Sequence, residues 1–142
     1  MIKLNNYILE AWSGVKKHTN NAEIEAWCDE MGIRNYTINS KGEIDVDGGV
    51  WLINKNFKEL PYKFGYVNNT FSLRGCKNLT SLKNCPYSIA KSFSCSFCPQ
   101  LDSLEGCPKR VMFEFICNDC KRQFTTKEVQ KYCNVKKHDI IL

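Results

Sequence analysis

Apolar positions in the second half of the chain recur at a fixed spacing. Residues 71–92 and 93–114 align without a gap, placing Phe71 over Phe93, Leu73 over Cys95 and Cys76 over Cys98. Leu79 and Leu82 then fall over Leu101 and Leu104, Cys85-Pro86 over Cys107-Pro108, and Ile89 over Val111. A third copy begins at Phe115, keeps Cys117 and Cys120, and then departs from the pattern. A looser copy covers residues 50–64. There Val50 and Leu52 match Phe71 and Leu73, and after a one-residue deletion Phe57 and Leu60 match Leu79 and Leu82.

A period of 22 residues with these offsets has a physical reading. Alternation at Phe93 and Cys95, and again at Phe115 and Cys117, predicts short strands whose alternate side chains face inward. Cys98 lies where the chain must turn a corner, Leu101 and Leu104 face inward on the returning limb, and Pro108 opens the descending stretch. One such unit cannot bury its apolar face alone, so neighbouring copies must stack. Their strands then pair in parallel at about 4.8 Å.

The flanks carry helical signals. Residues 20–33 predict one helix, with Asn20 and Glu23 as a capping box and Gly32 as the left-handed residue after the last turn. Ile24, Trp27, Cys28 and Met31 form its apolar stripe. Residues 4–12 predict a second short helix, with Leu4, Ile8 and Trp12 turned inward. Residues 42–52 read as a hairpin leading into the first repeat. Thr125 and Glu128 predict a capping box for a helix running to about Cys133, whose Val129 and Cys133 would seal the last repeat. The tail beyond it reads as an edge strand. The expected class is α+β: a stack of repeats over residues 42–142 with its own C-terminal capping helix, preceded by a helical cap over 1–41, in one structural unit.

The string Phe93-x-Cys95-x-x-Cys98-x-x-Leu101-x-x-Leu104 resembles the leucine-rich-repeat pattern L-x-L-x-x-[NC]-x-L-x-x-L, with one extra residue before the last pair. Leu60-Pro61 and the repeat length are similar to the short repeats of bacterial leucine-rich-repeat proteins. Residues 36–65 and the Leu79-Thr80-Ser81-Leu82-x-x-Cys85-Pro86 segment more closely resemble uncharacterised leucine-rich-repeat-like proteins of tailed bacteriophages. The likeness covers roughly residues 35–135, and Lys55 departs from it where the motif wants Asn or Cys. It implies a short solenoid, a non-enzymatic protein-binding role, and a host protein, such as a defence protein to be inhibited, as the partner.

Composition narrows the alternatives. The chain has 142 residues, 43% apolar and 25% charged, which suits one ordinary globular unit. No run reaches the roughly eighteen apolar residues of a membrane span, and polar and acidic residues interrupt the first twelve positions where a signal peptide needs an apolar core. A cytoplasmic location without membrane association is therefore expected, in the host cell if the chain is phage-encoded. The net charge of +5 is mild. Lys121, Arg122, Lys127, Lys131, Lys136 and Lys137 gather near the C-terminus, which keeps a nucleic-acid binder as the alternative function. A solvated face on a terminal helix explains the same cluster.

Nine cysteines invite a metal reading. Cys95-x-x-Cys98 and Cys117-x-x-Cys120 stand 18 residues apart, within the range of a four-cysteine zinc site. The repeat explains that spacing without metal, since Leu73 and Cys76 occupy the same two positions one copy earlier and a leucine cannot be a ligand. A ladder of buried thiols is the preferred reading, and no cofactor is expected. Asp45 and Asp47 lack the further acidic ligands a calcium loop requires. His18 and His138 fall in no nucleophile or phosphate motif, so no enzyme is expected.

A stack of this kind exposes the outer side of its strands. The register places Trp51, Ile53, Ser72, Arg74, Ser94, Ser96, Phe97, Glu114, Ile116 and Asn118 on that face. Aromatic anchors among small polar residues suit a protein partner. An exposed end repeat also leaves self-association as a homodimer open.

Overall fold

A computed structural model describes residues 21–142. The short helix predicted over 4–12, the Asn20 cap and His18 lie outside the described residues. Helix α1 (Asn21–Glu30) buries Ile24 and Cys28, with Trp27 and Met31 packed beside them. It stops at Gly32, whose φ of 72° suits glycine. There Gly32 N donates to Asp29 O at 3.1 Å and Ile33 N to Cys28 O at 2.9 Å, the Schellman pairing of a helix end.

Beyond the helix the chain builds two five-stranded sheets. The first contains β1 (Tyr36–Ile38), β2 (Ile44–Val46), β4 (Phe64–Val67), β6 (Ser88–Ile89) and β8 (Arg110–Val111), neighbours in that order. The second contains β3 (Val50–Trp51), β5 (Phe71–Ser72), β7 (Phe93–Ser94), β9 (Phe115–Ile116) and β10 (Ile140–Ile141). Every pairing is parallel except β1 with β2. The fold is therefore mixed, with helices flanking two sheets of parallel strands, in agreement with an α+β class.

The register is that of the repeat. Phe71 pairs with Phe93 and Phe93 with Phe115 in the second sheet, while Ser88-Ile89 pairs with Arg110-Val111 in the first. The chain thus visits each sheet once per copy. Inward positions Phe71, Leu73, Cys76, Leu79, Leu82, Cys85 and Ile89, with their counterparts through Val111, are buried in one cluster. Phe64, Phe71, Phe93 and Phe115 form a run of ring contacts through it, with centroids 5.0, 6.4 and 5.1 Å apart. Trp27 extends the run from α1 to Phe64 at 6.0 Å.

Two expectations change. The hairpin is formed by β1 and β2, residues 36–46, not by residues 42–52. Asn39 Oδ1 accepts from the backbone N–H groups of Lys41 and Glu43, and Gly42 takes a φ of 76°, so the turn closes there. Gly48-Gly49 then carries the chain across to the second sheet, where Val50 pairs with Phe71. The 41/42 boundary expected between cap and stack falls inside this hairpin turn. The second change is the first sheet itself, whose strands at Ile89 and Val111 lie outside the strand pattern of the repeat.

At the other end, helix α2 (Thr126–Tyr132) has the expected capping box, with Thr125 accepting from Glu128 N and Glu128 from Thr125 N. Val129 and Cys133 are buried as expected, and so is Phe124. The tail forms the expected edge strand, β10, parallel to β9.

Candidate binding face

Across the second sheet one outward row runs Trp51, Ser72, Ser94, Ile116, Ile141, paired residue to residue. The ladder continues past the strands: Leu73 N donates to Ser94 O, Gly75 N to Ser96 O and Phe97 N to Asn118 O, at 2.8–3.0 Å. This sets a second row of Ile53, Arg74, Ser96 and Asn118. Each copy then ends its strand limb at one corner residue with a left-handed backbone, namely Asn54, Gly75, Phe97 and Asp119 at φ 57°, 74°, 56° and 56°.

The corner residues are chemically unequal. Glycine adopts this conformation freely, and asparagine and aspartate do so readily, whereas a bulky side chain there is an outlier. A left-handed L-residue costs roughly 1–2 kcal/mol. Phe97 bears that cost with its ring 44% exposed, and the Arg74 guanidinium lies over it at 4.9 Å from the centroid. Trp51 is 59% exposed. Its indole lies back over Gly49, where a Cβ would stand only 2.1 Å from the ring, so the missing side chain makes room for it.

The predicted face is therefore only partly open. Trp51, Ile53, Arg74, Phe97 and Glu114 are exposed, and Ile116 and Asn118 are half-buried. Ser72, Ser94 and Ser96 are 6%, 8% and 3% exposed and offer a partner almost no surface. Ser94 and Ser96 instead bond to each other, Oγ to Oγ, at 2.9 Å. Two short side chains stand at the middle of the outward row, so the serines make its floor and the larger residues its accessible rim. Ile141, paired with Ile116, extends the exposed row and was not anticipated, because β10 lies outside the repeat.

Of the cysteines of the zinc alternative, Cys95, Cys98 and Cys117 sit in the core and Cys120 is half-buried against it. Cys76, Cys98 and Cys120 donate their thiols to the carbonyls of Leu52, Leu73 and Cys95, at 3.2, 3.3 and 3.2 Å. Each thiol thus bridges to the copy before it. Burial pushes Cys98 and Cys117 up to about 12. Cys95 rises further through its hydrogen bond to Cys120 and its burial, and that same bond holds Cys120 below the ordinary thiol range. Among the described residues no three His, Cys, Asp or Glu side chains are grouped to hold a metal ion. Asp45 and Asp47 accept from Tyr66 N and from the Asn68 side chain, which ties β2 to β4.

The basic cluster is exposed but partly engaged. Arg122 bonds to both Glu128 oxygens, at 2.9 and 2.6 Å, and to Asp102 at 3.2 Å. Lys131 lies 5.2 Å from the Tyr132 ring centroid. No described helix is long and apolar enough to cross a membrane.

No family model, no curated protein and no solved structure matches this chain.

Proposed function

We propose that the chain is a short leucine-rich-repeat-like solenoid that acts as a non-enzymatic binding module and docks a protein partner on the outward rim of its second sheet. The parallel advance of both sheets by one strand per 22-residue copy supports the solenoid reading. One observation carries the binding reading: Phe97 occupies a corner where the equivalent residues are Asn54, Gly75 and Asp119, and its ring faces solvent. Strained backbone persists where a side chain serves something other than stability. Trp51, exposed and lying over Gly49, supplies a second aromatic anchor, and such anchors dominate interface energetics.

The resemblance to bacteriophage proteins makes a host protein the proposed partner, with inhibition of a host activity as the outcome, and a cytoplasmic setting follows from that role. Affinity capture from host cells tests the proposal. Wild-type chain should retain a defined protein, and Trp51→Ala should lose it. Equal retention by the variant would remove this face from the account. Retention of nucleic acid, released steeply by salt, would favour the basic helix instead.

A further inference from the structure

A groove of about 620 Å³ opens on the opposite limb, where each copy turns into the first sheet. Its wall draws on three successive copies, with Lys63 from one, Ser81, Lys83 and Tyr87 from the next, and Ser103, Glu105 and Lys109 from the third. The volume lies within the range of small-ligand sites, roughly 300–1,000 Å³.

The charge of this groove is one-sided, with Lys63, Lys83 and Lys109 on its wall against Glu105. Lys63 donates one N–H to the Cys85 carbonyl, leaving two of its three donors. Lys83 and Lys109 are exposed, and among the described residues none of the three ammoniums is in an ion pair. Ser81 Oγ accepts from Lys83 N and Ser103 Oγ from Glu105 N, both at 3.1 Å, so each hydroxyl proton is left to donate outward. Among the described residues the only carboxylate on the wall is Glu105. Burial lowers the Lys63 ammonium, repulsion from Lys109 works in the same sense, and Cys85 and Glu43 oppose it.

We infer that this groove binds a multiply charged oxyanion of the phosphate class. Three lysines and two serines line this space with one carboxylate among the described residues, which suits a ligand rich in acceptors and poor in donors. The site is separate from the sheet rim and does not depend on the partner reading.

Calorimetric titration of the full chain with inorganic pyrophosphate at low salt tests it. One saturable site is expected. Lys109→Met, at an exposed position, should weaken it by about tenfold, as should Lys63→Met, which keeps the buried stem. Glu105→Gln should tighten binding, a gain that misfolding cannot mimic. Lys137→Met, on the tail, should change nothing. Repeating the titration with adenosine diphosphate distinguishes free from esterified phosphate: tighter binding points to an organic body against Tyr87, and equal binding to phosphate alone. No saturable heat, or losses from Lys137→Met as large as those from Lys109→Met, would overturn the site.

Discussion

Cys76, Cys98 and Cys120 show what a thiol offers that a leucine does not. Each is small enough to pack as an apolar group, yet its weak donor reaches a carbonyl of the preceding copy. The bond needs the proton on sulfur, and burial pushes the Cys76 thiol up and keeps Cys98 protonated up to about 12. Zinc ligation needs the proton removed. Eight of the nine cysteines are buried, and Cys120, half-buried with its acidity enhanced by Cys95, stands apart. Alkylation at pH 8 followed by mass measurement should therefore label Cys120 rapidly in the native protein and all nine thiols after unfolding without reductant. Fewer than nine after unfolding would mean disulfides, and rapid native labelling of Cys95 or Cys98 would contradict the ladder.

Among the elements, α2 closes the last repeat and carries an exposed cap. Thr125 and Glu128 satisfy each other's backbone N–H groups, and Arg122 clamps the Glu128 carboxylate. Replacing Thr125 with Ala should lower the free energy of unfolding by about 1 kcal/mol, measured by urea titration. Arg122 and the cap hold Glu128 at about 2, below its unfolded value. A depressed carboxylate contributes stability that is present above the unfolded pKa and lost as pH falls through the folded one. The cap's contribution should accordingly fade between roughly pH 4.3 and pH 2, and an unchanged Thr125→Ala difference at pH 2 would contradict it.

The same elements show how far pattern reading reaches. Strands of the second sheet were legible because Phe71-Leu73 and Phe93-Cys95 alternate and recur. Those of the first sheet were not, since Ser88-Ile89 and Arg110-Val111 each bury one residue and leave no alternation to read. The β1–β2 hairpin carried a signal in Asn39 and Gly42, but Gly48-Gly49 competes with it in sequence and proved to be a crossing between sheets. Phe124 falls outside the repeat, so the period carries no sign that it is buried beneath Arg122. The outward face was placed by period alone. Period cannot tell that Ser72, Ser94 and Ser96 lie too low to be reached, nor that Phe97 turns the corner left-handed.

At the scale of the molecule, one core runs between the two sheets, with α1 packed at one end and α2 with β10 at the other. Stability lies in that core; the exposed rim of Trp51, Arg74 and Phe97 is spare to it, and the proposed partner site rests on this division. Phe97→Gly tests it most directly, with unfolding free energy and affinity for the captured partner measured on the same variant. Relief of the left-handed strain should raise stability by about 1 kcal/mol, while affinity falls at least tenfold. A less stable protein that binds as well as wild type would instead make Phe97 a packing residue for Arg74, and the rim would lose its claim to be the binding site.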